Sequence, residues 1–195
     1  MKTILFFLAL TSIEVNAQRL KWHKGSVVLS EGIVLTGSIS IEPRHDLILF
    51  RTTGNPTVYP AHKLKSVYFY DCEANINRRF ISMEYKEGIA TNDRLLEVVT
   101  SGEVSILRRM KNVIYSYQAS EATDYNYYCK YDGALVPLRK FTKKIFPSLM
   151  SKEHNRLRGF MKENRLQSAM DADAIQIIEY YNRLAVSRES FTLNQ

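Results

Sequence analysis

The chain has 195 residues, 45% of them hydrophobic and 24% charged, with a formal net charge of +7. That composition is ordinary for a globular protein. No apolar run reaches the ~20 residues of a helical membrane span, and the few strands with a helical C-terminal pattern argue against an outer-membrane barrel.

The first element is a targeting segment, Met1–Ala17. Lys2 supplies a positive start, Ile4–Leu10 an uncharged apolar run, and Val15-Asn16-Ala17 small side chains before a cut at Gln18. Those are the parts of a secretory signal peptide. Glu14 interrupts any longer apolar stretch, and no Cys near the cut suggests a lipid anchor. Removing 17 of 195 residues leaves 178, enough for one domain with a helical appendage. The expected location is the periplasm or the extracellular space.

Strands follow. Ser26–Leu29 is a short β-branched run closed by a turn at Gly32. Ile33–Ile41 alternates apolar and polar residues, the period-2 pattern of a strand with one wet face. Leu47–Arg51, Thr57–Tyr59, Leu64–Tyr70 and Arg79–Tyr85 continue the series, separated by polar or Gly/Pro breaks. Leu95–Val99 and Val104–Arg108 flank a Gly102 connection, the best hairpin in the chain, with Gly102 expected at positive φ. Its almost wholly apolar first arm belongs near the sheet centre. Val113–Tyr117, Tyr125–Tyr131 and Ala134–Leu138 complete the strands, the last two joined by Asp132-Gly133.

Beyond Pro137 the period lengthens. Phe141, Ile145 and Leu149 are four apart, a helix face that Pro147 should kink or restart. Ser151 is placed to cap a second helix bearing Leu157, Phe160 and Met161. Asp171 is placed to cap a third, whose stripe runs Ala174, Ile177, Ile178, Tyr181, Leu184, Ala185.

The fold class is therefore α+β: an antiparallel, strongly twisted or barrel-like sheet of about nine short strands followed by about three C-terminal helices. The organisation reads as signal peptide 1–17, β region 18–138, helical region 139–186 packed on the same unit, and a flexible tail 187–195.

Several segments carry a resemblance: the spaced Gly25, Leu29, Gly32, Gly37 and Ile39, then VYPAHKLKSVYFYD, LLEVVTSGEVSILRR and IIEYYNR. Together they resemble a recurrent type of small exported β-rich protein of Bacteroidota-type bacteria. The resemblance implies an envelope location and a β-then-α layout. It carries over no activity, ligand or catalytic residue.

No motif for catalysis stands out. His23, His45, His62 and His154 have no metal-ligand spacing, and there is no GxSxG, Walker loop or GxGxxG. His45-Asp46 reads as a turn dipeptide. Asp71 and Glu73 beside Cys72 are too few oxygen ligands for calcium. No catalytic, cofactor-binding or metal-binding residue is assigned, and the chain reads as a non-enzyme more readily than an enzyme.

Three features remain. Arg139, Lys140, Lys143, Lys144, Lys152, Arg156, Arg158, Lys162 and Arg165 face only two acids, Glu153 and Glu163. The segment's net +7 equals the charge of the whole chain. Such a face attracts an acidic envelope protein, anionic lipid or anionic polysaccharide, or is merely solvated. Export and the lack of a recognition module disfavour nucleic acid. Tyr125, Tyr127 and Tyr131 share a strand face with Cys129, either as an exposed aromatic surface or as packing beneath the helices. Finally, an oxidising compartment permits a Cys72–Cys129 disulfide; the alternative is two thiols acting as small hydrophobes. The sequence thus points to an exported, envelope-associated or partner-binding protein, with a periplasmic enzyme or small-ligand carrier as the alternative.

Overall fold

The computed structural model describes residues 20–87, 90–111 and 125–192. The targeting segment, Val113–Tyr117 and the last three residues of the tail lie outside them. The ten strands of the described residues form a single antiparallel sheet, and three helices follow. The strands are β1 His23–Leu29, β2 Val34–Glu42, β3 Leu47–Arg51, β4 Thr57–Pro60, β5 Leu64–Asp71, β6 Ile76–Glu87, β7 Ala90–Thr100, β8 Ser105–Met110, β9 Tyr125–Tyr131 and β10 Ala134–Pro137. The helices are α1 Phe141–Lys144, α2 Phe146–Glu163 and α3 Asp171–Thr192.

Strand order is β10-β9-β8-β7-β6-β5-β1-β2-β3-β4. Two meanders therefore meet where β5 returns beside β1, after the 3-10 turn Ala61–Lys63. The sheet stays open, but it curls. Register shifts in β1 at Val28/Leu29 and in β7 at Val98/Thr100 mark bulges, which sharpen local twist. The curl brings the Ala61–Lys63 turn against β6 and β7. The strongly twisted sheet expected from sequence is thus present, with ten strands.

Alternation decides what lies inside. Val27, Ile39, Ile48, Phe50, Val67, Phe69, Phe80 and Leu95 share the concave face and form one buried cluster. Along the same face Val104, Ile106 and Cys129 meet Phe141, Ile145, Leu149, Leu157, Ile177, Ile178 and Tyr181 from the helices. Each large side chain fully buried there contributes about 2 kcal/mol. Leu96, Leu107 and Tyr128 are buried on the opposite face. Leu95 and Leu96, both 1% exposed, explain why the first hairpin arm is apolar at successive positions: β7 is covered on both sides.

Local details refine the sequence expectations. Asp132 and Gly133 both have positive φ, +49° and +73°, the signature of a two-residue type I′ hairpin. Gly102 is different: it is not among the positive-φ glycines. Its constraint is contact, because a Cβ there would collide with the side chain of Asn182. Pro147 restarts the helix as expected, sitting in the first turn of α2. Ser151 does not cap a helix. It lies inside α2 and donates to Ser148 O at 2.8 Å, and the break comes two residues later at Glu153 (φ −137°, ψ 42°). Asp171 and Asp173 open α3, where negative charge meets the positive helix end. That helix continues to Thr192, past Ser187, where the sequence suggests a tail.

Candidate functional site

Asn182 ties α3 to the sheet. Its Oδ1 accepts from Val104 N–H at 3.0 Å and its Nδ2 donates to Val104 O at 2.8 Å. Beside it Glu103 accepts from Tyr181 Oη (2.7 Å) and from Lys152 Nζ (2.5 Å). These contacts fix the helical layer, and with it the basic segment, against the β7–β8 hairpin.

All nine predicted cations of Arg139–Arg165 are exposed. Lys152 pairs with Glu103 and also sits over the Tyr131 ring at 5.6 Å. The hydrogen bond it donates to Glu103 pushes its ammonium pKa upward. Arg156 stands 3.9 Å from Glu153. The other seven have no ion-pair partner among the described residues. Lys140 and Lys144, and Arg158 and Lys162, are each four apart, so each pair shares a helical face. Solvent-separated like charges of this kind repel rather than stabilise the fold.

The tyrosine row is not an open aromatic surface. Tyr127 and Tyr131 are half-buried and pack against the helix-covered core beside Cys129. Tyr125 is also half-buried, 4.3 Å from the Arg108 guanidinium. The helices lie on the face these side chains share, which is the physical reason.

Nor do the cysteines pair. Both are free thiols: Cys72 is exposed in the β5–β6 turn and Cys129 is buried in β9. Three strands separate β5 from β9, a span of about 15–19 Å at ~4.8 Å per strand. A disulfide needs Cα atoms within about 7 Å. Burial pushes the Cys129 thiol up to about 12, the opposite of activation.

Two polar constellations were not legible as sites from the sequence. On the concave face, charges alternate across four strands: Asp71 to Arg78 (2.8 Å), Arg78 to Glu97 (2.6 Å) and Glu97 to Arg108 (2.7 Å). The hydrogen bond from Arg78 is the main cause holding the Asp71 carboxyl below its ordinary range. The chain is mutually neutralised, so its role is structural. Charged residues standing in the inward phase of strands, Arg78 beside Phe80 and Glu97 beside Leu95, were the available signal.

The second constellation centres on Asp46, in the β2–β3 turn at φ +54°. The last β7–β8 pairing toward this end is Glu97↔Arg108, and Asp46 enters beyond it. Its Oδ1 accepts Leu95 N–H at 2.9 Å, while Oδ2 accepts from Arg94 (2.7 Å) and Arg109 (2.9 Å). One buried carboxylate thus serves two guanidiniums, and the buried Arg109 Nε–H has no acceptor. Next to this pair, on the convex face, lies a recess of about 390 Å³. Tyr85 and Tyr128 meet edge to face there at 5.4 Å.

Among the described residues, no group of three His, Cys, Asp or Glu is gathered for a metal ion. Comparison with known proteins returned no match to a family, a curated protein or a solved structure. What the described residues do present is surplus positive charge on a helical layer and a tyrosine-lined recess on the sheet.

Proposed function

We propose that the protein is exported and acts without catalysis, docking through its basic helical layer on the anionic headgroup face of the cell envelope. The export reading rests on Met1–Ala17. The docking reading rests on seven exposed cations without an ion-pair partner among the described residues. Lys or Arg close to an anionic bilayer contributes about 1 kcal/mol each, so even three engaged residues would strengthen binding by roughly two orders of magnitude. No helix of the described residues is long and apolar enough to cross a membrane, so attachment of this region would be peripheral.

The experiment uses the mature chain and its triple variant Lys140→Glu, Lys143→Glu, Lys144→Glu. Co-sedimentation is measured with vesicles containing phosphatidylglycerol and with neutral phosphatidylcholine vesicles. The expected result is binding to the anionic vesicles only, weakened by salt and by the triple variant at least 100-fold. Equal binding of parent and variant, or equal binding to neutral vesicles, sinks the proposal. Binding to acidic polysaccharide with none to vesicles also overturns the lipid reading and moves the partner to the glycan layer.

A further inference from the structure

We infer that the convex face of β6-β5-β1-β2-β3 is a binding surface for an acidic polysaccharide. The observation that carries it is a patch in which exposed cations alternate with aromatic rings and hydroxyls, with no acid among them.

Strand register builds the patch. Val27, Ile39, Phe50, Val67, Phe69 and Phe80 fill the concave core, so alternation turns their neighbours outward. One row across the strands is Arg79, Tyr68, Ser26 and Thr36. The next holds Arg51, Ser38 and Lys24, with Tyr70 facing Asn77 on β5 and β6. Lys24, Arg51 and Arg79 are exposed, and Tyr68 and Tyr70 are 38% and 43% exposed. From β6 to β3 is four strand spacings, about 19 Å at ~4.8 Å each, a width for an extended chain rather than one sugar.

Two of the guanidiniums are held over rings. Arg51 Cζ lies 4.1 Å from the centroid of Trp22, and Arg79 Cζ lies 5.2 Å from that of Tyr68. Such contact orders the side chain and leaves its N–H donors for carboxylate or sulfate oxygens, so less rotamer freedom is lost on binding. Lys24, Arg51 and Arg79 have no ion-pair partner among the described residues. The two rows carry no acidic side chain: Glu73 in the β5–β6 turn pairs with Lys21, and Glu42, two outward positions farther along β2, stands beside His45. Rings and hydroxyls suit the apolar faces and hydroxyl edges of sugars, and the uncompensated charge selects an acidic chain over a neutral one. The choice of glycan over single-stranded nucleic acid rests on the export reading. The helices pack on the concave face, so this surface belongs to the other face of the sheet from the helical docking layer.

Trp22 is the only tryptophan, so its fluorescence reports binding at the patch itself. The test titrates that signal in the folded mature chain with polygalacturonate, dextran sulfate, neutral dextran and oligothymidylate. A saturable change with at least one acidic glycan, weakened by salt and absent with dextran, is expected. Preference for polygalacturonate assigns the oxyanion as a carboxylate; preference for dextran sulfate assigns it as a sulfate ester. The double variant Lys24→Gln, Arg79→Gln leaves the Arg51–Trp22 pair in place as reporter and should bind about tenfold or more weakly. The triple variant Lys140→Glu, Lys143→Glu, Lys144→Glu should keep the full Trp22 response, so failure of vesicle docking and failure of this surface are read separately. No saturable response to either acidic glycan, an equal response to dextran, or undiminished affinity in the folded double variant overturns the inference. So does loss of the response in the triple variant, and oligothymidylate binding as tightly as the acidic glycans moves the partner to nucleic acid and overturns it too.

Discussion

Replacing Asp46 by Ala, by Asn and by Gly separates the three tasks this residue performs. Its carboxylate pairs with two guanidiniums whose side chains are 23% and 12% exposed, its Oδ1 satisfies Leu95 N–H, and its backbone holds φ at +54°. Removing one partner of a buried ion pair costs about 3–5 kcal/mol; water reaches Arg94, so the lower end applies. Ala also pays for a left-handed backbone, roughly 1 kcal/mol. Asp46→Ala should therefore lose about 3–4 kcal/mol. Asp46→Asn also removes the charge but keeps the Leu95 acceptor and tolerates the backbone, and should lose about 2–3 kcal/mol. Asp46→Gly should fall just short of Ala. With a urea slope near 2 kcal/mol per molar, the Ala variant moves the unfolding midpoint down by about 1.5–2 M. Urea unfolding followed by far-UV circular dichroism reads these shifts. A loss below ~1 kcal/mol in Asp46→Ala would falsify the view that Asp46 fastens the curl of the sheet. Equal losses in Asn and Ala would show that the charge, not the Leu95 bond, carries the effect.

Three further predictions test other joints. Asn182→Ala strips both polar groups of Val104 of partners; a loss of about 2–3 kcal/mol is expected, with earlier proteolytic cleavage in α3. An unchanged melting temperature refutes the clamp. In a thiol titration, exposed Cys72 should react at once and Cys129 only after denaturation, giving one thiol and then two. No thiol in either state would instead mean a disulfide. For pH, Asp71 has a folded pKa below its unfolded value, so its stabilisation is present above about pH 4 and fades as pH falls below that. Asp71→Asn should lower stability at neutral pH and flatten the acid limb of the stability profile; an unaltered limb contradicts the assignment.

Legibility in the sequence tracked the range of the interaction. The alternation of Ile33–Ile41, the Asp132-Gly133 turn, the restart at Pro147 and the stripe from Ala174 to Ala185 are local, and each appears in the fold. What escaped is contact across many strands. Asp46 meets Arg109 at a separation of 63 residues, and Asn182 meets Val104 at 78. Nothing in the neighbourhood of either residue announces its partner. Gly102 shows the same limit in miniature: its type was correctly singled out, but the reason is the approach of Asn182, not a turn angle. Charge was legible only as a sum. The +7 of Arg139–Arg165 can be counted, while the meeting of Asp46 with Arg94 and Arg109 arises only when the curl brings one carboxylate to two guanidiniums.

That curl hangs on one side chain. Asp46 fastens the β2–β3 turn to the splayed end of β7 and β8 through Leu95 N–H, Arg94 and Arg109. The Leu95 and Arg94 bonds still hold Asp46 when Arg109 is removed, so Arg109→Gln should cost less stability than Asp46→Ala. Urea unfolding of the two variants side by side reads the difference. A loss in Arg109→Gln as large as in Asp46→Ala would place the fastening on Arg109 rather than on the carboxylate.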